Sequence, residues 1–249
     1  MIVIKTPEQI ERMRRSCQLL VEAFREAEKL IVPGVRTREI DAAVEAFVRA
    51  RGGLPAFKGY RGYPASVCIS VNEVVIHGIP GDQELREGDI VSLDMGVVLD
   101  GYYSDGARTY AVGQVSEEKQ RLMDAAREAL EEAIAAAREG NRVGDISWAI
   151  QRTVEARGFS VVRQFCGHGI GRNLHEEPEV PNYGSPRKGP RLRCGMTLAL
   201  ETMVNAGTHE VEILADGWTV VTRDRKPSAH FEHTVAITDR GADVLTLGL

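Results

Sequence analysis

No segment of the 249 residues comes near the ~20 consecutive apolar residues that a membrane-crossing helix demands. The N-terminus, Met1 to Lys5 followed by Thr6-Pro7-Glu8, also has no extended apolar stretch of the secretory kind. The expectation is a cytoplasmic protein with no membrane partner. Cysteine is scarce: Cys17, Cys68, Cys166 and Cys194 form no CxxC pair and are too few for a disulfide framework in a chain this long, which leaves buried free thiols. Positive charge is not in excess either. With 31 Lys and Arg, scattered, against 36 Asp and Glu, the net charge is -5, and nothing favours nucleic acid as a partner. What is present is 43% hydrophobic and 27% charged residues, enough for a substantial core in one domain or two fused halves.

The apolar pattern begins with helices. Thr6-Pro7-Glu8-Gln9 combines an N-cap, a proline at the first helical position and a capping-box Gln, and Ile10, Met13, Cys17, Leu20, Val21 and Phe24 follow at helical spacing. Pro33-Gly34 is expected to stop that helix. A second is expected to start after Thr37, bury Ile40, Val44, Phe47 and Val48, and end at Gly52-Gly53. Residues 117–139 and 146–157 repeat the plan, ending at Gly140 and Gly158.

The repetition extends to single residues. Gly34, Arg36, Ile40, Ala43, Val48, Ala50, Arg51 and Gly52 recur 106 positions later as Gly140, Arg142, Ile146, Ala149, Val154, Ala156, Arg157 and Gly158. The strand-like stretch from Gly88 to Asp94 returns 107 positions later from Gly195 to Glu201, each copy ending on a carboxylate. Tyr103-Ser104-Asp105 is echoed by His230-Phe231-Glu232, and His77-Gly78-Ile79 by His168-Gly169-Ile170, at other offsets. Two halves of paired helices followed by strands predict an α+β domain with an approximate internal two-fold axis, its site between the halves.

Residues 90–99 and 102–112 read as strands joined by Asp100-Gly101, a dipeptide favoured in two-residue hairpin turns. That turn places Asp94 opposite Ala107 and diagonal to Asp105, on one face, with Cα atoms roughly 7–8 Å apart. Taken singly, an Asp near such a turn is more often solvated or a turn cap. Here Asp94, Glu201 and Glu232 all sit in apolar runs where an unpaired charge is costly. Four clustered carboxylates call for two divalent cations, or else for protons on some of them. Four carboxylates and one imidazole suit Mn, Fe, Co or Zn without choosing among them.

At Asp94, Asp105, His168, Glu201 and Glu232, with His77 inside Asn72-Glu73-Val74-Val75-Ile76-His77-Gly78-Ile79-Pro80, the chain resembles the bacterial type I methionine aminopeptidases over nearly its whole length. Cys166-Gly167-His168-Gly169-Ile170-Gly171, His175-Glu176-Glu177-Pro178 and Phe231-Glu232-His233-Thr234 are similar to that family's signature stretches. The resemblance implies the pita-bread fold, a curved antiparallel sheet covered by two helix pairs. Residues 1–249 would form a single catalytic domain with pseudo-repeats near 6–113 and 116–249. It also implies one metal held by Asp94, Asp105 and Glu232, and a second by Asp105, His168, Glu201 and Glu232. These metals would polarise the scissile carbonyl and lower the pKa of the attacking water, while Glu201 moves the proton as base and then acid.

By the same resemblance, His175 would hydrogen-bond the carbonyl oxygen and His77 the scissile amide. Tyr60, Tyr63, Cys68 and Trp218 would surround the pocket for the methionine side chain. Backbone groups of Asn72, Val74 and Ser228 match a monovalent-cation site of some relatives. Three departures touch pocket shape: Leu174 stands where some relatives have an aromatic, Phe57 where some have a small thiol, and Gly96 where they have a hydroxyl. The implied substrate is a peptide or nascent chain with Met first and a small second residue, met transiently near the ribosome by a monomeric enzyme.

Two other readings stay open. An X-Pro peptidase of the same fold uses a similar carboxylate set, but such relatives usually carry an additional N-terminal domain, for which a helix starting within the first ten residues leaves no room. The fold also serves as a non-catalytic binding module in proteins that have lost their metal ligands, whereas all five ligand positions are present here.

Overall fold

The computed structural model describes residues 1–249. In chain order the first half comprises α1 (Pro7–Glu28), α2 (Thr37–Ala50), β1 (Leu54–Pro55), β2 (Val67–Val71), β3 (Val74–Ile76), β4 (Ile90–Leu99) and β5 (Tyr102–Ala111). The second comprises α3 (Glu117–Ala136), α4 (Val143–Ala156), β6 (Ser160–Val161), β7 (Cys166–Gly169), β8 (Glu176–Pro181), β9 (Thr197–Asn205), β10 (Val211–Ile213), β11 (Val220–Thr222), β12 (Ser228–Thr238) and β13 (Gly241–Val244). The expected repeat is borne out: α4 lies 106 residues after α2, at both ends.

Ten strands form one antiparallel sheet whose backbone order is β1-β4-β5-β12-β9-β7-β8, with β2 on β4, β6 on β9 and β13 on β12. The β5–β12 pairing joins the halves at the centre. Strand parity separates two faces. Val91, Leu93, Met95 and Val97 of β4 pack with Leu20, Phe24, Ile40 and Val44 of α1 and α2. Leu198 and Leu200 of β9, with Phe231 and Val235 of β12, pack with Leu122, Ala126, Ile146 and Ile150 of α3 and α4. Each half thus buries its own helix pair on one side, which leaves residues of the other parity, the carboxylates among them, on the opposite face.

Local chemistry matches most expectations. Thr6 caps α1 with the reciprocal Gln9 bond, Pro7 being the first helical residue. The Asp100-Gly101 turn has positive φ at both residues, 51° and 76°, as a type I′ hairpin requires. Its strands pair without a bulge from Leu99↔Tyr102 to Ile90↔Ala111, so Asp94 faces Ala107 as the turn predicts.

Several boundaries are corrected. α1 ends at Glu28, before Pro33, because Leu30 and Ile31 turn back onto the last helical carbonyls. α2 begins at Thr37 with Arg36 as N-cap, the backbone of Arg36 being met by the Glu39 carboxylate. α4 likewise begins at Val143, with Asp145 answering the Arg142 amide. α3 stops at Ala136, where the Asn141 side chain caps its last carbonyl, and β5 stops at Ala111. Phe47 is only partly buried, with the Arg51 guanidinium over its ring. All four cysteines are free, but only Cys17 and Cys68 are buried, whereas Cys166 and Cys194 are part-exposed.

Candidate metal centre and substrate pocket

One row of backbone pairing assembles the site. Cys68 pairs with Asp94, Asp94 with Ala107, Ala107 with Glu232, and Glu232 with Glu201, across β2, β4, β5, β12 and β9. Directly paired residues share a face, so all five side chains project from the side away from the helices. Asp105, two residues from Ala107, joins that face. So does His168, because it pairs with Ala199, two residues from Glu201. Five donors scattered over 139 positions of sequence therefore meet because of strand register.

Asp105, His168 and Glu232 are buried and bring donor atoms within 4.8 Å of one another. His168 Nε2 lies 3.6 Å from both Asp105 Oδ2 and Glu201 Oε1. Its Nδ1 is 2.8 Å from the Gly169 carbonyl, which can only accept, so a proton sits on Nδ1 and Nε2 is turned to the carboxylates. Gly167 and Gly169 allow this approach: a Cβ on the first would lie 2.4 Å from the Ala199 carbonyl, and on the second 2.2 Å from that of Glu177.

The electrostatics are those of a cation site. Burial, then the charges of Asp105 and Glu201, push Asp94 well above the usual carboxylate range. Burial, then Asp105, Glu201 and Asp94, do the same to Glu232. Asp105 is also raised by burial, against the relief given by His168. Burial pushes Glu201 up too, but the imidazoles around it, His230 foremost and then His168 and His175, outweigh it and hold Glu201 below its ordinary value. Asp94 Oδ1 and Glu232 Oε1 are buried with no hydrogen-bond partner. Buried carboxylate oxygens without donors, arranged around the Nε2 of an imidazole, are what two divalent ions would satisfy.

The donors open into a cavity of about 260 Å³ whose lining includes every substrate-contact residue expected from the sequence: Tyr60, Tyr63, Cys68, His77, His175 and Trp218. A roomier groove of about 330 Å³ lies under α3, lined by Arg108, Tyr110, Phe231 and His233, and of the five candidate donors only Glu232 borders it. His175 stands at the mouth with its ring centroid 4.2 Å from that of His168, and its Nδ1 is 2.8 Å from the Tyr60 hydroxyl. Burial lowers both His77 and His175 to about 4, His168 adding to the shift of His175, so both rings are neutral near pH 7. His77 meets Phe165 and Trp218 edge-on, at 5.8 and 6.2 Å between centroids.

Tyr63 plays a different part from Tyr60. Its ring meets Trp218 edge-on at 5.1 Å, while its hydroxyl faces the Val67 and Gly78 carbonyls, so the polar end is spent on the wall and the apolar ring faces the pocket. The Phe57 and Gly96 departures explain each other. A Cβ at Gly96 would lie 3.0 Å from Phe57 Cε1 and 2.8 Å from the Ser104 carbonyl, so the Phe57 ring occupies the room a larger residue 96 would need. Phe57 and Leu174 both line the cavity.

Sequence reasoning passed over three residues. Arg61 and Phe165 line the cavity, Arg61 in a left-handed conformation at φ 49°. His230 is 1% exposed with Nε2 3.3 Å from Glu201 Oε2. Only its position two residues before Glu232 on a strand could have signalled it.

The metallopeptidase family M24 model matches residues 11–239. A methionine aminopeptidase of Clostridium perfringens is 52% identical over 99% of both chains. The crystal structure of a methionine aminopeptidase from Thermotoga maritima superposes with a TM-score of 0.97 at 48% identity, again over 99% of both chains. A prolidase from Pyrococcus furiosus superposes less closely, at 0.81 and 27% identity, over 98% of this chain but 65% of that one. Identity near one half over the full length, together with the assembled donors, establishes that the chain belongs to metallopeptidase family M24 and, within it, to the bacterial methionine aminopeptidases.

Proposed function

We propose that this chain removes the N-terminal methionine of a polypeptide by metal-assisted hydrolysis of the first peptide bond, favouring a small second residue. The observation that carries the reading is the strand register that brings four carboxylates and His168 to one face beside a cavity of about 260 Å³. Asp94, Asp105 and Glu232 would hold one ion, and Asp105, His168, Glu201 and Glu232 the other. Two such ions supply Lewis-acid polarisation of the carbonyl and acidify the attacking water. Manganese, cobalt, iron and zinc all suit the donor set.

The remaining roles belong to side chains. Glu201, kept ionised, accepts the proton lost by the nucleophile and returns it to the leaving nitrogen. If the Tyr60 hydroxyl donates to His175 Nδ1, His175 carries its proton on Nε2 and offers it to the carbonyl oxygen as negative charge grows there. His77, neutral against Phe165 and Trp218, contacts the scissile amide. Tyr63, Cys68, Trp218 and Phe57 form soft, apolar walls for an unbranched thioether. A monovalent cation is proposed at the backbone of Asn72, Val74 and Ser228, supported by the Ser228 amide bonding the carbonyl of Asn72 in the turn between β2 and β3, which brings the two segments together. Residues 1–249 act as one catalytic domain, monomeric and cytoplasmic, meeting nascent chains near the ribosome. No helix is long and apolar enough to cross a membrane.

The X-Pro reading is not favoured, since the prolidase match is weaker in identity and overlap than the methionine aminopeptidase matches. Chelated protein is expected to release no methionine from Met-Ala-Ser, to regain activity with manganese or cobalt, and to leave Ala-Pro-Gly and formyl-Met-Ala-Ser intact. Turnover that ignores chelation, or a preference for Ala-Pro-Gly, would overturn the proposal.

A further inference from the structure

His230 has no place in the ligand set read from the sequence, yet it sits inside the site, with a ring nitrogen within 4.8 Å of carboxylate oxygens of Glu201 and Glu232, a second group able to hold a cation. It lies on β12 two residues before Glu232 and shares that residue's face. It pairs with Met203, two residues past Glu201 on β9, which makes His230 and Glu201 diagonal neighbours across the nine-pair β9–β12 ladder. Its backbone is pinned: the His230 amide donates to Thr109 Oγ1 at 2.8 Å, and that hydroxyl donates to the His230 carbonyl at 2.9 Å. The ring is 1% exposed, and neither nitrogen has a formed hydrogen bond. A buried imidazole left in that state is costly. The acceptor within reach is Glu201 Oε2, 3.3 Å from Nε2.

The two oxygens of Glu201 therefore face two different imidazoles. Oε1 is 3.6 Å from His168 Nε2, on the side of the three-donor group Asp105, His168 and Glu232, whereas Oε2 faces His230. His168 has its Nε2 fixed toward the carboxylates by the bond of its Nδ1 to the Gly169 carbonyl, but nothing fixes His230 in that way. We propose that His230 is a positioning residue: its Nε2–H holds Glu201 Oε2, keeping Oε1 turned toward His168 and the metal position. At 3.3 Å the two atoms are within reach but not aligned as a formed bond, and such bonds tighten in the working complex. A carboxylate that both binds metal and carries a proton needs this restraint, because free rotation would exchange its two oxygens. The inference rests on the role given to Glu201 above.

Zinc-loaded, 15N-labelled enzyme is expected to show His230 as a neutral ring protonated at Nε2 with the shift of an uncoordinated imidazole. A proton on Nδ1, or a metal-shifted Nε2, would overturn the proposal by making His230 a ligand. His230→Leu is expected to lower kcat on Met-Ala-Ser about 10–100-fold with KM nearly unchanged, and to weaken manganese binding in calorimetry by about tenfold. His230→Gln, which keeps an N–H at a similar reach, is expected to restore most of both. Leu as good as wild type, or Gln no better than Leu, would refute the role. Should the Leu variant fail to fold, the wild-type tautomer decides. Wild-type enzyme that releases no methionine with any metal would sink the functional reading instead, while tautomer and metal affinity still judge His230.

Discussion

Ala107 is the smallest side chain in the row that builds the site, and it stands at the middle, between Asp94 and Glu232. Its methyl leaves the space into which the neighbouring carboxylates project. Of the five candidate donors, Asp94, Glu201 and Glu232 stood out in the sequence because each ends or interrupts an apolar run where a bare charge is costly, whereas Asp105 followed from the hairpin register and His168 from the family resemblance. The roles of Tyr60 and His230 were not legible there, since a hydroxyl or imidazole gains its function from the partner that folding brings to it. For Glu201 the consequence is direct: Glu201→Gln keeps the volume but removes the charge that takes up a proton. We expect kcat on Met-Ala-Ser to fall roughly 10²–10⁴-fold with the fold intact by circular dichroism. Near-wild-type turnover would remove Glu201 from the proton path.

Among the elements, the β4–β5 hairpin was the most readable, because Asp100-Gly101 fixes both turn and register locally. Helix ends were less so: Arg36 and Arg142 are poor N-caps by residue type, and the first turns are satisfied by Glu39 and Asp145 reaching back. One link between elements had no sequence signal. The N-terminal arm is fastened to the segment after His175 by a buried ion pair, Lys5 with Glu176, whose other oxygen accepts the Arg172 and Asn173 amides. The Lys5 amide adds a bond to the Gly195 carbonyl. Breaking a buried pair from one side strands a charge, so Lys5→Met is expected to cost about 3–5 kcal/mol in urea unfolding, with the double replacement of Lys5 and Glu176 by Met recovering most of it. A loss well under 1 kcal/mol for the single variant would show the pair to be incidental.

Across the whole molecule, the two halves each complete a core under their own helix pair and meet at the central β5–β12 seam, at the β3–β11 pairing and in apolar clusters that draw on both. The site at that seam makes stability depend on pH and metal together. Asp94, Asp105 and Glu232 have folded pKa values raised above their unfolded ones. Their contribution is therefore full below about pH 4 and is lost as pH rises through the folded values. His168, also raised, has the same sign above its unfolded value. His77 and His175, lowered to about 4, act oppositely, but only up to about pH 6.5, where the unfolded rings lose their protons. Metal replaces the protons on the raised groups. The rise in Tm on adding saturating manganese should therefore grow from pH 6.5 to 8 in scanning calorimetry, and an increment that shrinks over that range would contradict the electrostatics of the site.

The sequence by itself determined the α+β class, the internal repeat and the Asp94–Asp105 register, because helical and strand periodicity and turn chemistry act within a few residues; the pita-bread fold and the full candidate donor set came from its resemblance to a known family. Only the tertiary structure decided that Glu232 pairs with Glu201 and Ala107, that Phe57 fills the room beside Gly96, and that His230 stands against Glu201. Those facts depend on the register between strands from different halves, which no local stretch encodes, since it is set by how the two cores pack against one sheet.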